Sequence, residues 1–218
     1  MNAQVQALLE RTGPLAENEV KDLLKAYGIP TTTYAVVKTE TDLEKLDLKF
    51  PVALKVCSPN ILHKTDVGGV QLDIQNKEEL KKAFNAFRKK FPTENLLVDQ
   101  MAEKSAEIII GLARDPTFGL TIMFGIGGIF TELYKDVVFR VVPIEKYDAE
   151  QMIEEIKGKK LLEGFRGMKT SKKPVIDLLL KMSYLAEELE DHIDQMDLNP
   201  VFVYERNVCV VDAKLIVK

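Results

Sequence analysis

Apolar residues recur at helical spacing near the start of the chain, at Val20, Leu23, Leu24 and Tyr27. That period predicts a helix over Glu17–Tyr27, with Gly28 at its C-terminus, where positive φ is favoured, and Pro30 as a stop. A strand over Thr33–Val37 and a helix over Glu40–Leu46 capped by Thr39 follow. Phe50–Val56 is short, apolar and opened by Pro51, and so reads as a strand despite Lys55 inside it. Val70–Ile74 alternates as a strand. Lys77–Phe91 is a basic amphipathic helix with Leu80, Phe84 and Phe87 on one face, and Asn95–Met101 is another apolar strand. Ala106–Arg114 and Leu120–Phe124 form a hairpin through Asp115–Gly119, and Val137–Val142 is a further strand. Helical spacing returns over Tyr147–Ile156 and Lys173–Glu190, separated by a loop, Gly158–Lys173, with one short helix. Two strands, Asp194–Tyr204 and Val208–Val217, close the chain around Glu205-Arg206-Asn207. Hairpins mixed with flanking helices predict an α+β fold rather than a doubly wound parallel sheet.

Composition narrows the function. The chain has 218 residues, 46% of them hydrophobic, a length for one large or two small domains. No apolar run is long enough to span a membrane, and Met1–Pro14 lacks the pattern of a secretory signal. The net charge of −4 comes from 30 basic and 34 acidic residues, well mixed, with no basic stripe interleaved with aromatics; nucleic acid is not expected as a partner. Two cysteines, Cys57 and Cys209, suggest a reducing, cytoplasmic compartment. With two His and two Cys a transition-metal site is not expected, whereas a hard cation on oxygen ligands is.

The candidate chemistry starts at Ile61–Val70. His63 is one of the two histidines, and Lys64, Asp66 and the pair Gly68-Gly69 follow it. A neutral imidazole is a nitrogen nucleophile near pH 7, and paired glycines let backbone N–H groups approach an anion. Together they suit a phosphoryl carrier; a polar loop with an incidental His is the alternative. Lys55, mid-strand, either reaches an anion or guards a sheet edge. Asn199 in MDLNP and Asp212 in VVDAK are hard ligands suited to Mg²⁺ with nucleotide phosphates, or else a turn Asn and a surface Asp. Gly127-Gly128 offers a second cradle beside Glu132, whose carboxylate is placed to fix an imidazole tautomer, unless this is an ordinary glycine turn. Arg114 and Arg140 end apolar runs, as phosphate clamps or as surface salt bridges. There is no Walker P-loop, and G-I-G-G-I-F is not a dinucleotide fingerprint.

These pieces occur in one order: Lys55 in PVALKV, then HKTDVGGV, LLVDQM, EIIIGLARDPTFGLTIMFGIGGIFTE, VFRVVP, and MDLNPVFV with VVDAKL. In that order the chain resembles the beta subunit of ADP-forming acetyl-CoA (acyl-CoA) synthetases, over about Leu15 to Ile216. It is also similar to the ATP-binding part of succinyl-CoA synthetase beta subunits, without their long C-terminal CoA-ligase domain. The resemblance implies an ATP-grasp fold, with a lid at about 30–98 and a second subdomain of about 1–29 plus 99–218. It implies an acid–thiol ligase reaction, acyl-CoA + ADP + phosphate ⇌ carboxylic acid + CoA + ATP. By the same resemblance His63 is the phosphohistidine and Glu132 its catalytic neighbour. Lys55, Glu107 and Arg114 meet the nucleotide phosphates, and Gly127 and Gly128 bound the phosphate site. Asp99, Gln100 and Met101 run along the adenine with backbone groups reading its edge. Asn199 and Asp212 hold Mg²⁺, and Arg140 is carried over on the VFR block alone. The implied ligands are ATP/ADP and Mg²⁺, and the implied partner is a CoA-binding alpha subunit in an α2β2 assembly. The alternatives are a non-catalytic nucleotide-sensing module and a succinyl-CoA ligase type of subunit. The acyl substrate and the choice of ATP or GTP are not legible in this chain.

Overall fold

Two antiparallel sheets share the strands of the chain. In the computed structural model, which describes residues 3–128 and 136–218, the strands are β1 (Gly13–Pro14), β2 (Tyr34–Val37), β3 (Val52–Cys57), β4 (Val70–Ile74), β5 (Asn95–Gln100), β6 (Ala106–Asp115), β7 (Gly119–Ile126), β8 (Val137–Val141), β9 (Ile193–Val203), β10 (Val208–Val210) and β11 (Ala213–Val217). The smaller sheet has the order β2-β5-β3-β4; the larger runs β1-β11-β9-β6-β7-β8, with β10 also paired to β9. The α+β expectation holds, with helices α1 (Ala3–Leu9), α2 (Glu17–Ala26), α3 (Glu40–Glu44), α4 (Lys77–Lys90), α5 (Lys146–Glu155) and α6 (Lys172–Glu188) packed on the sheets.

Local sequence explains the helices that frame the cleft. In α2 the apolar stripe Val20, Leu23 and Leu24 is buried. Gly28 ends it at φ +67°, and the N–H groups of Gly28 and Ile29 turn back onto the carbonyls of Lys25 and Leu24, both at 2.9 Å. In α4, Asn76 caps the N-terminus by accepting from the Glu79 N–H at 3.0 Å, and Leu80, Ala83, Phe84 and Phe87 are buried. Full burial of a Leu or Phe contributes about 1.5–3 kcal/mol, so this one face fixes α4 to the smaller sheet.

The cores are separate. One joins α2, α5 and α6 to the larger sheet; a second joins α3 and α4 to the smaller one. A third and smaller contact, Ala16 with Cys57 and Leu97, bridges them. Three features depart from the sequence expectations. Helix α1 and the two-residue β1, which pairs with β11, lie before Glu17, where the sequence pattern assigns no element. Two 3-10 segments, Lys157–Leu162 and Phe165–Gly167, replace the one short helix expected there. The expected strand Val208–Val217 is split into β10 and β11, both paired to β9. The break falls opposite Asn199-Pro200, where Pro200 has no N–H to give a ladder. Among the described residues no helix is long and apolar enough to cross a membrane.

Candidate functional site

A cleft of about 530 Å³ opens between the two sheets. The smaller sheet supplies Lys55 from β3 and Asp99 and Gln100 from β5. The larger supplies Glu107 from β6, Asn199 from β9 and Asp212 from the break before β11. His63 enters from the loop between β3 and β4, and Met101 follows β5. Eight of the residues singled out in the sequence therefore line one cavity: Lys55, His63, Asp99, Gln100, Met101, Glu107, Asn199 and Asp212.

The cleft has an ionic floor. Lys55 Nζ donates to Glu17 Oε1 at 2.7 Å, to Asp99 Oδ2 at 2.8 Å and to the Val211 carbonyl at 3.1 Å. Lys21 Nζ donates to Asp99 Oδ2 at 2.7 Å and Thr32 Oγ1 at 2.8 Å, and lies 2.9 Å from Glu17 Oε1. Lys64 Nζ donates to Glu17 Oε2 at 2.5 Å and to Asp212 Oδ1 at 2.7 Å. Three ammonium groups thus face three carboxylates, and the floor is neutral as a whole. Burial pushes the Glu17 carboxyl up, but Lys55, Lys21 and Lys64 together hold it well below the usual range. Burial works against the charged form of Lys55 as well, yet Glu17, Asp99 and Asp212 raise it above the ordinary lysine value. Asp212 is raised, by burial and by the neighbouring Glu17 carboxylate. Asp99 Oδ1 is buried without a hydrogen-bond partner among the described residues.

This geometry changes several of the expected roles. An ammonium has three N–H donors, and Lys55 has spent all three on the floor. Lys55 is therefore a brace in this arrangement and meets a phosphate only by giving up one partner. Asp99 turns its side chain into the same network. The N–H groups of Gln100 and Met101 are taken by the carbonyls of Thr33 and Pro51, at 2.8 and 3.1 Å, and so are not free to read a base edge. Gly127 and Gly128 sit beside Glu107: the Gly127 N–H donates to the Glu107 carbonyl at 2.8 Å, and a Cβ on Gly128 would lie 3.3 Å from Glu107 Oε2. Arg114 lies outside the cleft, with its guanidinium donating to the carbonyls of Glu190 and Ile193. Arg140 is also elsewhere, paired with Glu155 at 2.5 Å. Glu132 lies outside the described residues.

The sequence reading passed over Glu17 and Lys21, and gave Lys64 no role beyond its place beside His63. The signal for the first two was present: Glu17 and Lys21 stand three residues before Val20 and Leu24, on the apolar face of α2. Charges i,i+4 apart on a buried stripe call for partners from elsewhere in the chain. Lys104 and Lys214 also line the cleft, Lys214 opposite Asp197 across the β9–β11 pair.

Asn199 and Asp212 come together at the strand break, where the Asn199 N–H donates to the Asp212 carbonyl at 3.1 Å. Among the described residues no group of three or more His, Cys, Asp or Glu side chains makes a cage for a metal ion. One carboxylate and one amide oxygen nevertheless fit Mg²⁺, which keeps waters and takes its remaining ligands from phosphates. The lining of the cleft also includes the apolar side chains Ala53, Val70, Leu72, Met101 and Phe202, which suit the faces of a planar base.

Comparison with known proteins bears out the ATP-grasp fold. A family model described as an ATP-grasp domain matches residues 6–217. The chain is 43% identical to the beta subunit of ADP-forming acetate–CoA ligase II of Pyrococcus furiosus, over 98% of this chain and 95% of that one. It is also 43% identical to ADP-forming acetate–CoA ligase II of Archaeoglobus fulgidus, covering 93% of this chain but spanning only 30% of that longer protein. Among solved structures, the dinucleotide-forming acetyl-coenzyme A synthetase 1 of Ca. Korarchaeum cryptofilum superposes with a TM-score of 0.85 at 40% identity, over 99% of this chain and all of that one. That structure holds coenzyme A and Mg-AMPPCP, with a phosphohistidine segment pointing towards its nucleotide site.

Proposed function

The chain belongs to the ATP-grasp domain family, among the beta subunits of ADP-forming acetate–CoA ligases, and from that premise we propose that it carries out the phosphoryl transfer that makes ATP in an ADP-forming acyl-CoA synthetase. The overall reaction is acyl-CoA + ADP + phosphate ⇌ carboxylic acid + CoA + ATP. The observation that carries the proposal is the convergence of His63, Asn199, Asp212 and a charged floor on one cleft that apolar side chains also line.

In this reading the neutral imidazole of His63 attacks a phosphoryl group delivered by the partner subunit. A P–N bond forms as the bond to the donor breaks. A terminal oxygen of ADP then attacks phosphorus, a P–O bond forms, and the P–N electron pair returns to the ring nitrogen. Phosphoryl transfer asks mainly for positioning and charge neutralisation. Lys104, Lys214 and the third N–H of Lys64 stand around the cleft for the phosphates, while Lys21 and Lys55 hold the carboxylates beneath them in place. Asn199 and Asp212 hold Mg²⁺, which when bound supplies charge neutralisation for the transferring oxygens. The base lies against Leu72, Met101 and Phe202. The lid is the segment of about 30–98, closing on a second subdomain of about 1–29 plus 99–218. The partner is a CoA-binding alpha subunit, in an α2β2 assembly working in the cytoplasm.

The last step is reversible, which gives a test on this chain by itself. Incubated with Mg-ATP labelled at the γ-phosphate, the chain acquires one acid-labile, base-stable phosphoryl group, and His63→Asn does not. ATP binding without labelling, alone and with the CoA-binding partner, would replace this reading with a non-catalytic nucleotide sensor.

A further inference from the structure

Lys64 is the one floor lysine carried by a loop rather than by a helix or strand. It opens a tight turn in which the Gly69 N–H donates to the Lys64 carbonyl at 2.6 Å and the Gly68 N–H to the Thr65 carbonyl at 2.9 Å. His63, directly before it, is exposed, while Lys64 is buried. Among the described residues, Lys64 forms ion pairs with Glu17 and Asp212 alone. Its ammonium thus sits on Oδ1 of the carboxylate that the proposed function assigns to the metal.

We infer that Lys64 and the metal ion compete for Asp212, so that Lys64 is the positioning residue that couples metal–nucleotide binding to release of the His63 loop. The inference rests on the assignment of Asp212 as a metal ligand. Two cations cannot share one carboxylate oxygen in a partly buried site without strong repulsion. A metal that takes Asp212 therefore turns Lys64 off it. Glu17 Oε2 remains within reach of Lys64, so the ammonium is not left unpaired, and its third donor is free for a phosphate. Because His63 is the adjacent residue, movement of Lys64 moves the base of the loop that must face first a donor and then ADP. The exchange is also orderly: the carrier is freed only when the acceptor's metal has arrived.

The test uses Mn²⁺ alone as a spectroscopic stand-in for Mg²⁺, with free Mn²⁺ read by electron paramagnetic resonance. Lys64→Gln removes the competitor and leaves the floor one positive charge short; it is expected to bind Mn²⁺ about tenfold tighter than the unmodified chain, the scale of losing a tethered competitor. Lys64→Arg keeps the cation and is expected to leave the affinity where it was. Equal Mn²⁺ affinity in Lys64→Gln and the unmodified chain, while the unmodified chain still binds Mg-ADP, overturns this inference and leaves the function standing. Failure of the unmodified chain to bind Mg-ADP overturns both. Should Lys64→Gln not fold, hydrogen exchange of the unmodified chain decides: Mg-ADP should speed exchange of the Gly68 and Gly69 amides, and unchanged or slower exchange there overturns the inference.

Discussion

The floor of the cleft and the His63 loop are neighbours built on opposite plans. The floor is closed: Glu17, Lys21, Lys55 and Asp99 are buried, and the donors of both lysines are spent on oxygens of Glu17 in α2, Asp99 in β5, the Thr32 hydroxyl and the Val211 carbonyl. The loop is open: His63, Thr65, Asp66, Val67 and Gly68 are exposed, and it is tied down through Lys64 and the backbone of Gly69. A phosphoryl carrier needs both. The charges that await the nucleotide must not reorganise during transfer, and the group that carries the phosphate must travel. Fixed electrostatics and mobility cannot be supplied by the same few residues, and here they meet at one side chain.

The largest effect should come from the open region. His63→Asn with the CoA-binding partner present is expected to lower ATP formation on the order of a thousandfold or more, since the proposed nucleophile itself is lost. ADP affinity, measured by calorimetry, should stay near that of the unmodified chain, because among the described residues no side-chain hydrogen bond or ion pair ties His63 to the floor. A variant that turns over normally would remove the loop's half of the contrast altogether.

Glu17→Gln strikes the closed region instead. Glu17 is 5% exposed and meets Lys21, Lys55 and Lys64. Removing its charge leaves those ammonium groups short of a partner, at a cost of about 3–5 kcal/mol in unfolding free energy, readable by urea denaturation. A cost below about 1 kcal/mol, typical of an exposed pair, would mean that the floor is wetter and looser than its geometry. Gly69→Ala comes next and acts at the seam. A Cβ there would stand 2.5 Å from Val56 Cγ1 and 3.0 Å from the Lys64 carbonyl, both part of packed structure. The loop must shift off β3, with a cost of about 1–3 kcal/mol in stability. Turnover should fall more than ADP affinity does; equal losses would say that loop and floor move as one body.

How far all this was legible in the sequence differs between the same two regions. The loop's chemistry is contiguous, since His63, Lys64 and the Gly68-Gly69 pair stand within seven residues, and a single window exposes it. The floor is assembled from α2, β3, β5 and the β10–β11 break, so its members look ordinary one at a time. Glu17 and Lys21 pass for the polar side of an amphipathic helix unless their phase against Val20 and Leu24 is counted. Lys55 was legible as unusual, because a lysine inside PVALKV has to go somewhere, but its partners were not. Asp99 was legible as part of an apolar strand, whereas the direction of its carboxylate depends on which face β5 turns to α2. The helix and strand pattern was easier, because long periodic stretches such as α4 and β6 decide themselves by period alone. The split of Val208–Val217 was not, because it is set by what lies across from it in β9.

Arg114 gives the smallest effect on function and the sharpest limit on where the site ends. In the sequence it stands at the end of β6, ten residues before the start of the FGIGG segment of β7 and beyond, and it reads as a phosphate clamp or a surface salt bridge. In the structure it is half-buried, and its guanidinium closes the carbonyls of Glu190 and Ile193 where α6 gives way to β9. Arg114→Ala should therefore destabilise the chain by about 1–3 kcal/mol, the cost of leaving such carbonyls without a charged donor. ADP affinity should change less than about twofold, as for sites with no shared partners. A tenfold loss of ADP affinity at unchanged stability would place Arg114 on the nucleotide after all. It would also require the β6–β7 hairpin to bend far enough to bring its tip into the cleft, and the division between a fixed floor and a moving loop would then have to include a third moving part.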